Sequence, residues 1–313
     1  MKIHQLFRTF LDWKRGVLFP TGDPVRLWIE TSSKCNLACP LCLNRTLEKH
    51  DHGLMDYSLF CSIIDQLHPG RQDAYLHHRG EPLLHPDLAK MVEYASDAGI
   101  KTRIHTNGVL LNREMSIGLV KSGLEQITFS IDSLNSKEYE KTRPGSDLNK
   151  VLENLNDFLA IRDDLGREKP IVHLLLMSND SEKVILNTQI SHKPDKIIRR
   201  KEHNWAGSLS SEKTGYSGKL LKCTFPWYAM VILFDGRVCL CPQDFFGKMF
   251  IGNVKTSSLK DLWISDKAAD IRKKLIERKF ADTDPCNGCD RIRRKNLFGI
   301  PVEYLSKFLR EML

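Results

Sequence analysis

Apolar positions along this chain keep changing their period. From Val25 onward, short apolar runs alternate with longer stretches whose apolar residues recur every three or four positions. The runs VRLWIET (25–31), DAYLHHRGEPLLHP (73–86), IKTRIHTNG (100–108), EQITFSIDS (125–133), PIVHLLLMSND (170–180) and DKIIRRKEHNWAG (195–207) predict strands and their exit loops. Between them, MDYSLFCSIIDQL (55–67), PDLAKMVEYASDAG (86–99), REMSIGLVKSG (113–123), DLNKVLENLNDFLAIRDDLG (147–166) and SEKVILNTQIS (181–191) predict helices. Leu59, Ile63, Ile64 and Leu67 share one helical side, as do Leu148, Val151, Leu152, Leu155 and Leu159. Cys61 falls inside the first of these helices and is expected as a buried thiol.

Strands that alternate with helices pair in parallel through right-handed crossovers. Six such strands predict an α/β fold curled into a full or partial barrel, with its chemistry where strands end. The loops that follow the strands are where the distinctive residues lie. Before Val25, Leu6, Phe7, Phe10, Leu11 and Trp13 could line one side of a helix that packs on the core, and Pro20, Gly22 and Pro24 break the chain. Beyond a polar link at 207–218, VILFDGRVCLC (231–241) predicts a hairpin turning at Asp235-Gly236. Residues 259–263 and 267–280 predict further helices.

With 313 residues, 41% of them hydrophobic and 27% charged, the chain suits one large α/β domain and a smaller partner. No apolar run approaches the ~18–20 residues that span a bilayer, and the charged N-terminal stretch lacks a secretory signal pattern. A cytoplasmic protein with no transmembrane segment is expected. The net charge of +8 is modest. The basic stretches at 193–201, 267–279 and 291–295 read as solvated faces, without the interleaved aromatics that stack bases. No DNA partner is expected. Nine cysteines in a cytosolic chain point to metal or redox chemistry rather than a disulfide framework.

Three of them, Cys35, Cys39 and Cys42, follow the first strand at spacing C-x3-C-x2-C. Thiolates are the natural ligands of iron–sulfur iron. Three on one short loop can hold three irons of a cubane and leave the fourth open, whereas closed zinc sites favour two pairs of ligands. Five more, Cys223, Cys239, Cys241, Cys286 and Cys289, crowd the last third. A closed site needs four, and spacing alone does not choose between Cys239 and Cys241.

The triplet resembles the signature of radical S-adenosylmethionine (radical SAM) enzymes. That resemblance implies a partial (β/α)6 barrel, a 4Fe–4S cluster on Cys35, Cys39 and Cys42, and S-adenosylmethionine on the open iron. It assigns Leu41, Gly80, Glu81, Pro82, Thr106, Asn107, Ser130, Asp132 and Arg143 to the cofactor. Gly80-Glu81-Pro82 is similar to the GGEP motif, with Arg79 in place of its first glycine, and Leu41 stands where an aromatic is common. The last third resembles the auxiliary-cluster region of SPASM and twitch enzymes. A G-x4-C element, Gly236 to Cys241, then implies Cys223, Cys241, Cys286 and Cys289 as ligands of a second 4Fe–4S cluster, with Cys239 spare.

The expected organisation is a lead-in at 1–24, a radical SAM partial barrel at 25–205, a small α+β twitch/SPASM-like domain at 206–292 and a C-terminal helix at 293–313. The expected function is oxidation of a substrate by hydrogen abstraction, with the auxiliary cluster accepting an electron. The substrate would be a sugar- or alcohol-like small molecule, and a flavodoxin or ferredoxin would supply reducing electrons. A peptide maturase is the first alternative. A non-enzymatic zinc protein that binds RNA is a remote one. No residue is singled out to take the substrate proton.

Overall fold

In the computed structural model the predicted strands form β1 (Arg26–Ile29), β2 (Asp73–Tyr75), β3 (Lys101–Thr106), β4 (Gln126–Asp132), β5 (Ile171–Leu176) and β6 (Lys196–Arg199). Each pairs in parallel with the next. The structure describes residues 2–177, 190–199, 204–209, 221–293, 296–297 and 300–302. β1 and β3 alternate in burial; in β3, Thr102, Ile104 and Thr106 are buried, while Arg103 and His105 face the lumen of the curled sheet.

Helices α1 (Lys2–Arg15), α2 (Tyr57–Ile64), α3 (Leu88–Asp97), α4 (Arg113–Lys121), α5 (Ser136–Thr142) and α6 (Leu148–Asp164) precede or cross between these strands. Their starts are capped as the sequence favours. Asp56, Asn112, Asn135 and Asp147 each accept a bond from a backbone N–H of the first turn. Apolar faces such as Leu148, Val151, Leu152, Leu155 and Leu159 of α6 join one continuous core with the strands. Cys61 departs from expectation. It sits half-buried on α2 beside Tyr57, outside that core. The helix expected over 181–191 lies almost wholly outside the described residues.

The small domain does not build a sheet of its own. After the short helix α7 (Phe225–Tyr228), strand β7 (Ala229–Ile232) pairs in parallel with β1, from Arg26↔Ala229 to Ile29↔Ile232. The expected hairpin then runs β7 to β8 (Arg237–Cys239), turning through Gly236 at φ 90, and β9 (Phe250–Asn253) follows antiparallel. The nine strands thus form one sheet, ordered β6-β5-β4-β3-β2-β1-β7-β8-β9. All four residues of β7 are buried, so the strand suits an interior position.

Helices α8 (Leu259–Trp263) and α9 (Asp266–Ile276) cover this extension. The expected helix 267–280 stops early, and Arg278 takes a left-handed φ of 58. Helix α1 packs Leu6 and Trp13 into a second core with Phe225, Trp227, Tyr228 and Leu275. Its Ile3 and Phe7 stay exposed. Within the expected C-terminal helix, β10 (Asn296–Leu297) and β11 (Ile300–Pro301) pair as short antiparallel strands instead. Residues 303–313 lie outside the described residues. Among the described residues, no helix is long and apolar enough to cross a membrane.

Candidate active site and metal centres

The exit loops of β1 to β4 meet at one end of the barrel. The cysteine loop leaves β1 and is pinned by backbone and amide bonds. Asn44 donates from Nδ2 to the carbonyls of Ser33 (2.7 Å) and Arg79 (2.9 Å). The Glu81 amide donates to the Lys34 carbonyl at 2.8 Å. Asn107 donates from Nδ2 to Asn36 Oδ1 at 2.8 Å. Gly80 permits this closeness. A Cβ there would meet the carbonyl oxygens of Lys34 at 2.4 Å and Ser32 at 2.6 Å, both backbone atoms.

Glu81 is buried and accepts from Thr106 Oγ1 (2.7 Å), the Asn107 amide (2.8 Å) and the Leu83 amide (3.1 Å). Burial raises its pKa against the opposing pull of those donors. Its carboxylate therefore locks the second exit loop to the third. Asp132 adopts φ 68 at the bulged end of β4 and accepts from Arg143 Nε at 2.8 Å. The arginine expected to meet a cofactor carboxylate thus already holds one from the chain.

Arg79 has a purpose the sequence does not announce. It is buried in a two-pronged pair with Glu30, Nε to Oε1 at 2.7 Å and Nη2 to Oε2 at 2.9 Å. The Phe234 amide also donates to Glu30, at 3.2 Å. Burial works against the Glu30 charge, but His78 and Arg79 reverse it and hold the carboxyl at about 2. Glu30 thereby joins the end of β1 to the exit loop of β2 and to the hairpin. The readable signal was an acid closing an apolar strand, together with an arginine where the motif has glycine.

A cavity of about 900 Å³ opens beneath these loops. Cys35, Cys39, Cys42, Leu41, Gly80, Glu81, Thr106, Asn107, Ser130, Asp132 and Arg143 all line it. Pro82 is buried behind it, at the start of a 3-10 turn. Leu41 stands 42% exposed, an apolar face turned toward the opening. His77 and His105, stacked with ring centroids 4.3 Å apart, form part of the wall. The His105 amide donates to His77 Nδ1, so in the neutral ring Nε2 carries the proton.

The same cavity reaches Cys223. Cys241 and Cys286 pack with it in the second core. Burial, followed by the neighbouring Cys223, Cys289 and Cys286, drives the Cys241 thiol far above its ordinary pKa. Burial and Cys223 likewise raise Cys289 to about 11. Cys239 stands apart. It packs against Val231 and Leu233, and no cysteine figures among the groups acting on it. The knuckle 286–289 is fixed by close backbone contact between Gly288 and Gly207, where a Cβ would meet backbone at 2.6 Å.

Both thiol sets suit iron–sulfur clusters. Three half-buried thiols on one loop face a cavity roomy enough for a further ligand. Cys223, Cys241 and Cys286 pack in one core, with Cys289 close enough to act on Cys241, so four others gather from three separate segments. Burial disfavours thiolate in each, and bound iron supplies the positive charge that reverses this. Among the described residues, no three His, Cys, Asp or Glu side chains converge on a point suited to a single ion.

Comparisons with known proteins agree with this layout. A profile of the Radical SAM superfamily matches residues 29–166, and one of an iron–sulfur cluster-binding domain, SPASM, matches 223–290. The mycofactocin maturase of Mycobacterium ulcerans is 31% identical, over 85% of this chain and 80% of its own length. The S-adenosyl-L-methionine-dependent 2-deoxy-scyllo-inosamine dehydrogenase of Niallia circulans is 25% identical, over 84% of this chain and 92% of its own. The crystal structure of BtrN in complex with AdoMet and 2-DOIA superposes with a TM-score of 0.61 at 22% identity, covering 85% of this chain and 92% of that one.

Proposed function

Because the chain belongs to the radical SAM superfamily and carries a SPASM iron–sulfur domain, we propose that it oxidises a small hydroxylated substrate by two electrons, with an auxiliary cluster as electron acceptor. S-adenosylmethionine and a 4Fe–4S cluster, when bound, supply reductive cleavage to a carbon radical that takes a hydrogen atom from a C–H bond. Cys35, Cys39 and Cys42 would hold that cluster, while Gly80 and its neighbours present close backbone to the cofactor. Glu81, Thr106 and Asn107 keep that backbone in place. Cys223, Cys241, Cys286 and Cys289 would hold the second cluster. The substrate loses one hydrogen atom, one further electron and one proton, and an alcohol carbon becomes a carbonyl.

One observation carries the reading: a single cavity touches both thiol sets. A substrate within it lies between the radical source and the electron acceptor, and the walls exclude water from the radical. Its volume suits a small molecule. Peptide modification is the second reading, favoured by the 31% identity to a maturase. The test is anaerobic turnover of carbinol-deuterated alcohols. Deuterium should enter 5′-deoxyadenosine, with one carbonyl formed per S-adenosylmethionine consumed. A product at the substrate's own oxidation level would overturn the oxidoreductase assignment.

A further inference from the structure

The end of the cavity opposite the cysteine loop is built from the opening residues of the strands. Arg26 begins β1 and Lys196 begins β6, while Arg103 and His173 sit at the third positions of β3 and β5. All four line the cavity. Register sets His173 beside Lys196, and Arg103 beside Tyr75 and Gln126.

Aromatic faces hold the guanidiniums in place. Arg26 lies 4.8 Å from the Tyr75 ring centre and 5.4 Å from that of Tyr228, and Arg103 lies 5.6 Å from Tyr75. Such contacts orient a cation without neutralising it. Asp73 is the carboxylate shared between the two arginines, 2.5 Å from Arg103 Nη1 and acting also on Arg26. Asp195, on the His173 side, is engaged by Arg162 Nη1 and the Val172 amide, each at 2.6 Å. Glu125 also acts on Arg103 but is itself paired with Lys101 and Lys169, so among the described residues two guanidiniums and one ammonium outnumber the carboxylates left to them. His173 Nδ1 is buried there without a hydrogen-bond partner, and burial and Lys196 together lower its pKa. Net positive charge between low-dielectric walls concentrates anions.

We propose that the substrate carries an anionic oxygen group, a phosphate ester or a carboxylate, that docks on Arg26, Arg103 and Lys196. Guanidinium forks match such oxygens, and the ammonium adds a point charge. The position sets the polarity of binding. Arg26 opens β1 and stands five residues before Thr31, about 16 Å at the rise of an extended chain, so the anion anchors the substrate foot and its remote carbon reaches the cysteine end. This deepens the oxidoreductase reading, on which the orientation rests. The anion subsite itself depends on neither cluster.

The test is equilibrium dialysis of anaerobic, cluster-loaded enzyme with radiolabelled inorganic phosphate. Glucose 6-phosphate and glucuronate serve as competitors, and S-adenosylmethionine cleavage is assayed on the same batch. One phosphate per chain should bind. Arg26→Gln and Lys196→Gln should each weaken binding, the former by on the order of tenfold. Lys90→Gln, on the outer face of α3, should change nothing. Displacement by glucose 6-phosphate identifies a phosphoester substrate, and displacement by glucuronate a carboxylate. Lys196 is exposed, so its variant keeps the test valid should the stacked Arg26 variant fail to fold. Absence of phosphate binding, or unchanged affinity in Lys196→Gln, overturns the proposal. Lost S-adenosylmethionine cleavage with intact phosphate binding counts against the radical reading alone.

Discussion

The two thiol sets differ in how their surroundings are made. Cys35, Cys39 and Cys42 ride on one half-buried loop, held from outside by Asn44, Asn107 and the Glu81 amide. None of those bonds needs a metal. Cys223, Cys241, Cys286 and Cys289 come from three segments; the first three join the apolar packing that also holds Trp227 and Leu275, and Cys289 neighbours Cys241. Their thiols take the place of side chains that would otherwise fill a core. The first site is a prebuilt socket beside a cavity; the second is a joint that its own thiols close. With a cluster on each set, as proposed, loss of the first would cost chemistry, whereas loss of the second would cost structure as well.

Replacing Cys35, Cys39 and Cys42 together by alanine tests the socket, and the effect is the largest expected. Formation of 5′-deoxyadenosine should vanish while far-UV circular dichroism stays unchanged. Collapse of the secondary structure would erase the distinction between the two sites. Cys241→Ala tests the joint. Iron should fall from about eight to about four per chain, and thermal stability should drop. Cys239→Ala, which removes a thiol packed on Val231 and Leu233, should keep all the iron. If the two substitutions exchange outcomes, Cys239 is the ligand.

The buried Glu30–Arg79 pair supports the socket without metal. Glu30→Gln should cost about 3–5 kcal/mol in urea unfolding at neutral pH, since the buried guanidinium loses its bonded counter-charge and keeps only Asp51 at 3.9 Å. Acid acts in the same direction. The folded carboxyl titrates at about 2 against an ordinary 4.5, so its contribution is complete above the ordinary value and is lost as pH falls toward 2. A loss within experimental error would mean that the amide bonds of Asn44 and Asn107 suffice.

What could be read from the sequence was local. Strand–helix alternation placed the six parallel strands, because each element carries its own period. The Asp235-Gly236 turn placed the hairpin for the same reason. Pairings between distant segments were not legible. Glu30 and Arg79 stand 49 residues apart, and only the fold brings them together. The fusion of the small domain to β1 was equally hidden, since a buried parallel strand looks alike wherever it docks. Glu81, assigned to the cofactor by its motif, also accepts from Thr106 and the Asn107 amide, a tie across 25 residues that the motif does not announce. Motif patterns record which residue stands at a place, not which neighbour it holds.

The pairing of β1 with β7 also bears on how the chain comes into being. On a ribosome, the strand that covers one edge of β1 follows it about 200 residues later. At ~5–20 residues per second, that edge stays unpaired for roughly 10–40 s of synthesis. The exposed N–H and C=O groups are a template for pairing with another nascent chain. Helix α1, made before β1, packs with Trp227 and Tyr228 in the finished protein and so must also wait for its partners. Expression at lower temperature or with holding chaperones should therefore raise the yield of soluble protein, and truncation before Ala229 should send the barrel into aggregates.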